Sequence, residues 1–236
     1  MRALSSVVLN KTDARRLTVV LFAALAALVL LLGTGCARKD DFQYCPAGQA
    51  LPQATGAPSV LVIGDSISIG YTPTVLGTLS PKYDVVHNPC NAMTSTWTRS
   101  QIDGWLSSRQ SFEAITWNNG LWDVLHGHRT SDETYADNLR YIAGRIKEKT
   151  AHPLFVLTTQ VLPETANRSD SDVIRLNDIA RAIMTEEGIP VLDLYSVSAA
   201  IQDEHKSPND VHYTEVGSET LGVAVLGALS SLGVVP

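Results

Sequence analysis

The chain has 236 residues, 44% of them hydrophobic, with 18 Lys+Arg against 24 Asp+Glu and a formal net charge of −6. Setting aside residues 1–35 removes four of the basic residues and one acidic residue, leaving about −9, a balance that argues against a nucleic-acid partner. Past an N-terminal leader and tether about 180 residues remain, enough for one domain with a single sizeable core and too few to expect a second.

Residues 1–35 read as an export signal: Lys11, Arg15 and Arg16 form a basic region, and Leu17 to Leu32 is apolar but short of the ~20 residues of a membrane span. An uncleaved signal anchor is the alternative. The segment ends in Gly33-Thr34-Gly35-Cys36, which resembles a bacterial lipoprotein processing site, although Gly33 stands where a large aliphatic residue is usual. The resemblance implies lipidation at Cys36, a lipid bilayer as partner, and a place in the bacterial cell envelope on the periplasmic or outer-membrane side. Residues 36–57, carrying Pro46, Gly48, Pro52 and Gly56 without apolar periodicity, read as a tether. In an oxidising compartment Cys45 and Cys90 either form a disulfide or remain two thiols; sequence supplies no Cα separation to choose between them.

The domain is expected over residues 58–236. Its first element is the short apolar run Val60 to Ile63, which follows Pro58 and has the β-branched character of a buried strand. Gly64-Asp65-Ser66-Ile67 comes directly after it, placing a serine hydroxyl where a strand ends and a helix begins. Unpaired amides and the helix dipole there stabilise a developing oxyanion. Asp65 is expected to stabilise the turn.

Further strand-like runs follow at Tyr83–His87, Ala114–Asn118, Leu154–Thr159 and Pro190–Leu194, mostly separated by amphipathic helical segments. Thr130 and Glu133 are spaced as a capping box ahead of Tyr135, Leu139, Ile142, Ala143 and Ile146 on one helix face. Val173 to Met184 repeats the pattern with Ile174, Ile179 and Ile183, stopped by Gly188 and Pro190. A last helix from Thr214 to Leu232, rich in Gly and Ala, is expected to pack closely on the sheet. This alternation predicts an α/β fold: a three-layer α/β/α sandwich around a five-stranded parallel sheet. Sites in such folds gather at the carboxyl ends of the strands, where Ser66, residues 88–96, Asn118-Asn119 and the loop around His212 all fall.

The segment Pro208-Asn209-Asp210-Val211-His212-Tyr213-Thr214-Glu215-Val216-Gly217 supplies a histidine far from Ser66 in sequence. Together with Gly64-Asp65-Ser66 it resembles the SGNH/GDSL hydrolase family, over roughly residues 58–236. The resemblance implies a flavodoxin-like strand order and a serine esterase with Ser66 as nucleophile and His212 as base. It also implies three oxyanion donors. The first is the Ser66 N–H. The second is usually a glycine N–H after the second strand, but this chain offers Asn91-Ala92-Met93-Thr94, so Ala92 or Met93 is expected to serve. The third is normally the asparagine of a Gly-x-Asn-Asp motif, whose place Trp122 takes in Gly120-Leu121-Trp122-Asp123.

Part of the family resembles this chain in carrying Asn-x-Gly-Leu-(His/Trp)-Asp, whose asparagine matches Asn118. Adjacent residues of an extended chain point to opposite faces, so Asn118 and Asn119 cannot both aim at one oxyanion; Asn118 is the expected donor, the alternative being that both satisfy loop backbone. The family's acid usually lies three residues before the histidine, where Asn209 stands, with Asp210 two before. Asp210 is the better candidate because an asparagine orients an imidazole without stabilising its charged form. A Ser–His dyad with an orienting carbonyl is the alternative.

His126-Gly127-His128 lacks a third ligand at a recognisable zinc spacing and reads as loop. No metal or organic cofactor is expected. Trp97, Trp105, Trp117 and Trp122 either stack on a sugar ring or pack the core. The expected protein is an exported, lipid-anchored serine esterase for small O-acyl groups, with O-acetylated carbohydrate as substrate class on family analogy. A lipase, thioesterase, arylesterase or O-acyltransferase would use the same residues. A non-catalytic carbohydrate-binding lipoprotein is the reading that Ser66 and His212 argue against.

Overall fold

The computed structural model describes residues 51–163 and 165–236, so the expected leader, Cys36 and most of the expected tether lie outside the described residues. Five strands, β1 (Ser59–Ile63), β2 (Asp84–His87), β3 (Ala114–Trp117), β4 (Pro153–Val156) and β5 (Val191–Leu192), form one sheet in the order β2-β1-β3-β4-β5. All pairs are parallel, giving the flavodoxin-like doubly wound arrangement. The helices are α1 (Ser66–Leu79), α2 (Ser95–Ser107), α3 (Asp132–Lys147), α4 (Asp170–Glu187), α5 (Leu194–Ala200) and α6 (Glu215–Ser231). α1 packs on α6, while α2, α3 and α4 pack in series, giving a helical layer on each face of the sheet.

β1 pairs with β2 on one side and β3 on the other, so its apolar run is buried throughout. The later strands end sooner than sequence suggested. Asn118 and residues 157–159 have already left the sheet, and β5 keeps only Val191–Leu192 because Asp193 caps α5, its side chain accepting from Ser196 N–H at 3.1 Å.

Three helix expectations need correction. The cap of α3 is Ser131, whose Oγ accepts from Thr134 N–H at 3.2 Å, and not Thr130, whose own N–H donates to the Asp123 carbonyl at 3.0 Å. The apolar face of α3 is buried as expected. On α4 the buried residues are Val173, Leu176, Asn177, Ala180, Ile183 and Met184, whereas Ile174 is exposed. Ile174 and Ile183 are half a turn out of phase at 100° per residue and cannot share a face. α6 uses its small residues to approach α1 rather than the sheet: a Cβ on Gly222 would lie 2.7 Å from Thr74 Cβ and 3.0 Å from the Tyr71 carbonyl.

Leu51 and Pro52 fall within the expected tether, yet Leu51 is buried in the core and the Pro52 carbonyl accepts from Arg109 Nη2 at 2.7 Å. Cys90 is disulfide-bonded; Cys45, its expected partner, lies outside the described residues. No helix among the described residues is long and apolar enough to cross a membrane.

Candidate active site

The carboxyl end of β1 runs into Gly64, whose peptide is held from both sides. Its N–H donates to Asn88 Oδ1 and its carbonyl accepts from Ala92 N–H, each at 2.9 Å. Asp65 then caps α1, with Oδ1 accepting from Ile67 N–H at 3.0 Å, so Ser66 is the first helical residue and its N–H has no intrahelical acceptor. Gly64 is required by close approach: a Cβ there would lie 2.5 Å from Ser68 Oγ and 3.2 Å from Asn118 Oδ1. Burial pushes the Asp65 carboxyl above its usual range, against the lowering effect of the Ile67 N–H and the charges of His212 and Arg168.

The opposite wall is the loop before α6. An antiparallel bridge joins His205 to Tyr213, Lys206 N–H donates to the His212 carbonyl at 2.9 Å, and His205 Nδ1 lies 3.0 Å from the Asp210 carbonyl. The loop so stitched presents His212 with Nε2 at 2.8 Å from Ser66 Oγ and Nδ1 at 2.6 Å from Asp210 Oδ1. Burial alone would raise the Asp210 carboxyl, but hydrogen bonds from the His212 backbone and ring, and the imidazolium charge, hold it below the usual range. Asn209 is exposed and accepts from Ser207 Oγ at 2.8 Å, away from the imidazole. Of the two sequence candidates, Asp210 is therefore the one on the ring, and Asn209 is not.

Asn118 continues the β1 pairing, its N–H donating to the Ile63 carbonyl at 3.0 Å, and its nearly buried amide lies over Gly64. Asn119 turns to the other face, where Nδ2 donates to Thr98 Oγ1 at 2.8 Å; its carbonyl accepts from Tyr135 Oη and Thr158 Oγ1. The expected Ala92 donor is corrected by the structure: its N–H is spent on the Gly64 carbonyl. Met93 takes the left-handed φ of 52° where a glycine would serve, and its N–H is held by Asn91 Oδ1 at 2.8 Å. Of the expected donors, the Ser66 N–H and the Asn118 amide nitrogen are not taken up by another hydrogen bond among the described residues.

Three supports were not singled out from sequence. Buried Asp123 accepts from Ser95 N–H at 3.0 Å and Ser95 Oγ at 2.7 Å, tying the turn after Asn119 to the start of α2. Ser68 Oγ lies 2.7 Å from the Asp65 carbonyl and 2.6 Å from His87 Nε2, and burial lowers the His87 pKa to about 4. Arg168 donates Nε–H to the Leu121 carbonyl at 2.8 Å, with its guanidinium carbon 5.9 Å from the Trp122 ring centre. Apart from the Ser68 bond to Asp65 three residues back, the partners are remote in sequence, and no local pattern announces the pairing.

His126 and His128 lie in an exposed turn, and no group of three His, Cys, Asp or Glu that could hold a metal occurs among the described residues. Trp105 and Trp117 are core residues, Trp117 meeting Phe155 edge-on at 5.1 Å; Trp122 is nearly buried and only Trp97 is partly open.

No protein-family model matches the chain, and no curated protein matches it in sequence. Solved structures do match it. A lipase/acylhydrolase from Enterococcus faecalis superposes with a TM-score of 0.64 at 18% identity, covering 74% of this chain and 96% of that one. A member of the lipolytic G-D-S-L family from Veillonella parvula gives 0.61 at 18%, covering 74% and 99%. A carbohydrate acetylesterase from Sinorhizobium meliloti gives 0.60 at 13%, again covering 74% and 99%. The chain has the fold of the SGNH/GDSL hydrolases, with Ser66, His212 and Asp210 assembled at the carboxyl edge of its sheet.

Proposed function

We propose that the protein is a carboxylic ester hydrolase that cleaves small O-acyl esters through an acyl-enzyme on Ser66. The observation that carries this reading is the continuous contact from Ser66 Oγ to His212 Nε2 to Asp210 Oδ1, at 2.8 and 2.6 Å. With Nδ1–H donating to Asp210, the Nε2 lone pair faces the serine hydroxyl. Ser66 Oγ attacks the acyl carbon while its proton passes to Nε2, and the Ser66 N–H and Asn118 Nδ2 hold the oxyanion. Collapse expels the alcohol, which takes the proton from Nε2. Water then repeats the attack with His212 as base and releases the acid.

O-acetylated carbohydrate is the substrate class favoured by the likeness to the carbohydrate acetylesterase structure. Acetyl xylan esterases and an aryl esterase share the fold, which by itself does not separate these substrates. The sequence of residues 1–36 supports export and lipid attachment through Cys36. The deciding assay follows nitrophenyl esters of increasing acyl length. Residues 37–236 should turn over the acetate fastest, and Ser66→Ala should remove the activity while leaving the unfolding midpoint in place. Retained turnover in that variant would overturn the serine mechanism.

A further inference from the structure

Arg168 is bonded to the turn that follows Asn118. It precedes α4 and reaches across to the turn that follows Asn118, where its Nε–H bond fixes the Leu121 carbonyl and Nη1 donates to Asn167 Oδ1 at 3.0 Å. Leu121 lines one internal space together with Asp65 and Asn118, and the Arg168 charge acts on Asp65, the residue before the nucleophile. We propose that Arg168 is the specificity-determining cation of the site, and that the preferred esters carry a carboxylate which it binds.

The charge pattern supports this. Arg109, Arg129, Arg140, Arg145, Arg175 and Arg181 all pair with carboxylates. Arg99, which does not, donates to Asn138 and lies 4.5 Å from the Tyr141 ring centre. Among the described residues no carboxylate lies within ion-pair distance of Arg168, although it is half-buried. Burial lowers the Arg168 pKa, and the Asp65 charge that opposes this belongs to a carboxyl itself pushed up by burial. A partly desolvated cation without a close counterion among the described residues is costly to keep, and an incoming carboxylate offsets that cost. Nε is bonded to the Leu121 carbonyl and Nη1 to Asn167 Oδ1, which leaves Nη2 and the second Nη1 hydrogen for two oxygens. In a domain of about −9 net charge, this local positive point is what admits an anionic ester that the surroundings repel.

The inference rests on the esterase reading, and the test separates the two. Steady-state kinetics would compare wild type, Arg168→Gln and Arg168→Lys on matched esters. Nitrophenyl hemisuccinate against nitrophenyl butyrate places the carboxylate on the acyl side; 4-acetoxybenzoate against phenyl acetate places it on the alcohol side. Wild type should favour the charged member of one pair. Arg168→Gln, which also gives up the bond to the Leu121 carbonyl, should raise KM for that ester by ~10- to 100-fold more than for its neutral match, the usual value of a charge-assisted hydrogen bond, with Arg168→Lys intermediate. Equal losses on charged and neutral esters would reduce Arg168 to a support for the Leu121 carbonyl and overturn the proposal. So would a wild type indifferent to charge in both pairs. If no ester is turned over, the esterase reading fails, and calorimetric titration of each charged ester into Ser66→Ala, with and without Arg168→Gln, still decides: binding weakened about tenfold or more supports the cation site, and undiminished binding, or none, refutes it.

Discussion

Asp210 Oδ1 accepts from both the ring Nδ1 and the backbone N–H of His212, at 2.6 and 3.0 Å, so one carboxylate oxygen fixes the histidine's tautomer and its main chain together. The two residues are separated only by Val211, and the tight turn that joins them is itself part of the site.

Asp210→Asn is therefore expected to lose several orders of magnitude in kcat. The equivalent change in a trypsin-like triad costs about 10⁴. Asn209→Ala, with its side chain on Ser207, should stay within about threefold of wild type. Since the Asp210 carboxyl is held below its usual range, it stays ionised throughout pH 5–9 and adds no step of its own there. Stopped assays across that range check both points, and a silent Asp210→Asn would leave a dyad.

Asn118 and Asn119 should separate activity from stability. Asn118→Ala removes the side-chain donor and should lower kcat by ~100- to 1000-fold. Asn119→Ala instead removes a buried donor from Thr98 Oγ1, which keeps its bond to the Ala92 carbonyl, and should destabilise the fold by about 0.5–1.5 kcal/mol with the smaller effect on kcat. Kinetics paired with urea unfolding reads both quantities, and the reverse ranking would refute the assignment.

Gly64→Ala should damage both, because the new methyl collides with Ser68 Oγ and presses on Asn118 Oδ1. Gly77→Ala, in the same helix as Ser66 with nothing within 4 Å of the added carbon, should stabilise by about 0.4–1 kcal/mol. Thermal unfolding of the two variants gives shifts of opposite sign if the packing is as described.

His87 makes stability pH-dependent in a defined window. Its pKa falls from an ordinary 6.5 to about 4 on folding, so below 6.5 the unfolded chain takes up a proton that the folded protein refuses. Stability is complete above that value and is lost as pH falls towards 4, by at most about 3 kcal/mol. His87→Gln should unfold with a shallower loss between pH 6.5 and 4.5, and parallel curves for the two proteins would refute the assignment.

Cys36→Ser should block signal processing and lipid labelling, since the apolar run and the small residues before Cys36 are what such processing requires. Intact-mass measurement checks this, and a mature chain beginning elsewhere without lipid would rule it out.

Much of the site was legible because its parts lie at strand ends. The run before Gly64 marks β1, and the alternation of an extended chain separates the faces of Asn118 and Asn119 just past β3. What sequence could not show was where individual amides are spent. Ala92 and Met93 looked equally able to donate until their N–H groups were found on Gly64 and Asn91. Ile174 was assigned to a buried face by counting isoleucines rather than following the helical phase. Arg168 belongs to a loop without periodicity, and its role depends on a carbonyl 47 positions away.

The clamp on the Gly64 peptide has a consequence for motion. With its N–H on Asn88 and its carbonyl on Ala92, the link before the nucleophile opens only if the loop between β2 and α2 lets go at both poles. The Gly64 and Ala92 amides should then exchange with solvent deuterium as one cooperative unit, at the rate of sub-global unfolding rather than of loop fluctuation. Substrate thus meets a nucleophile whose position is set before it arrives.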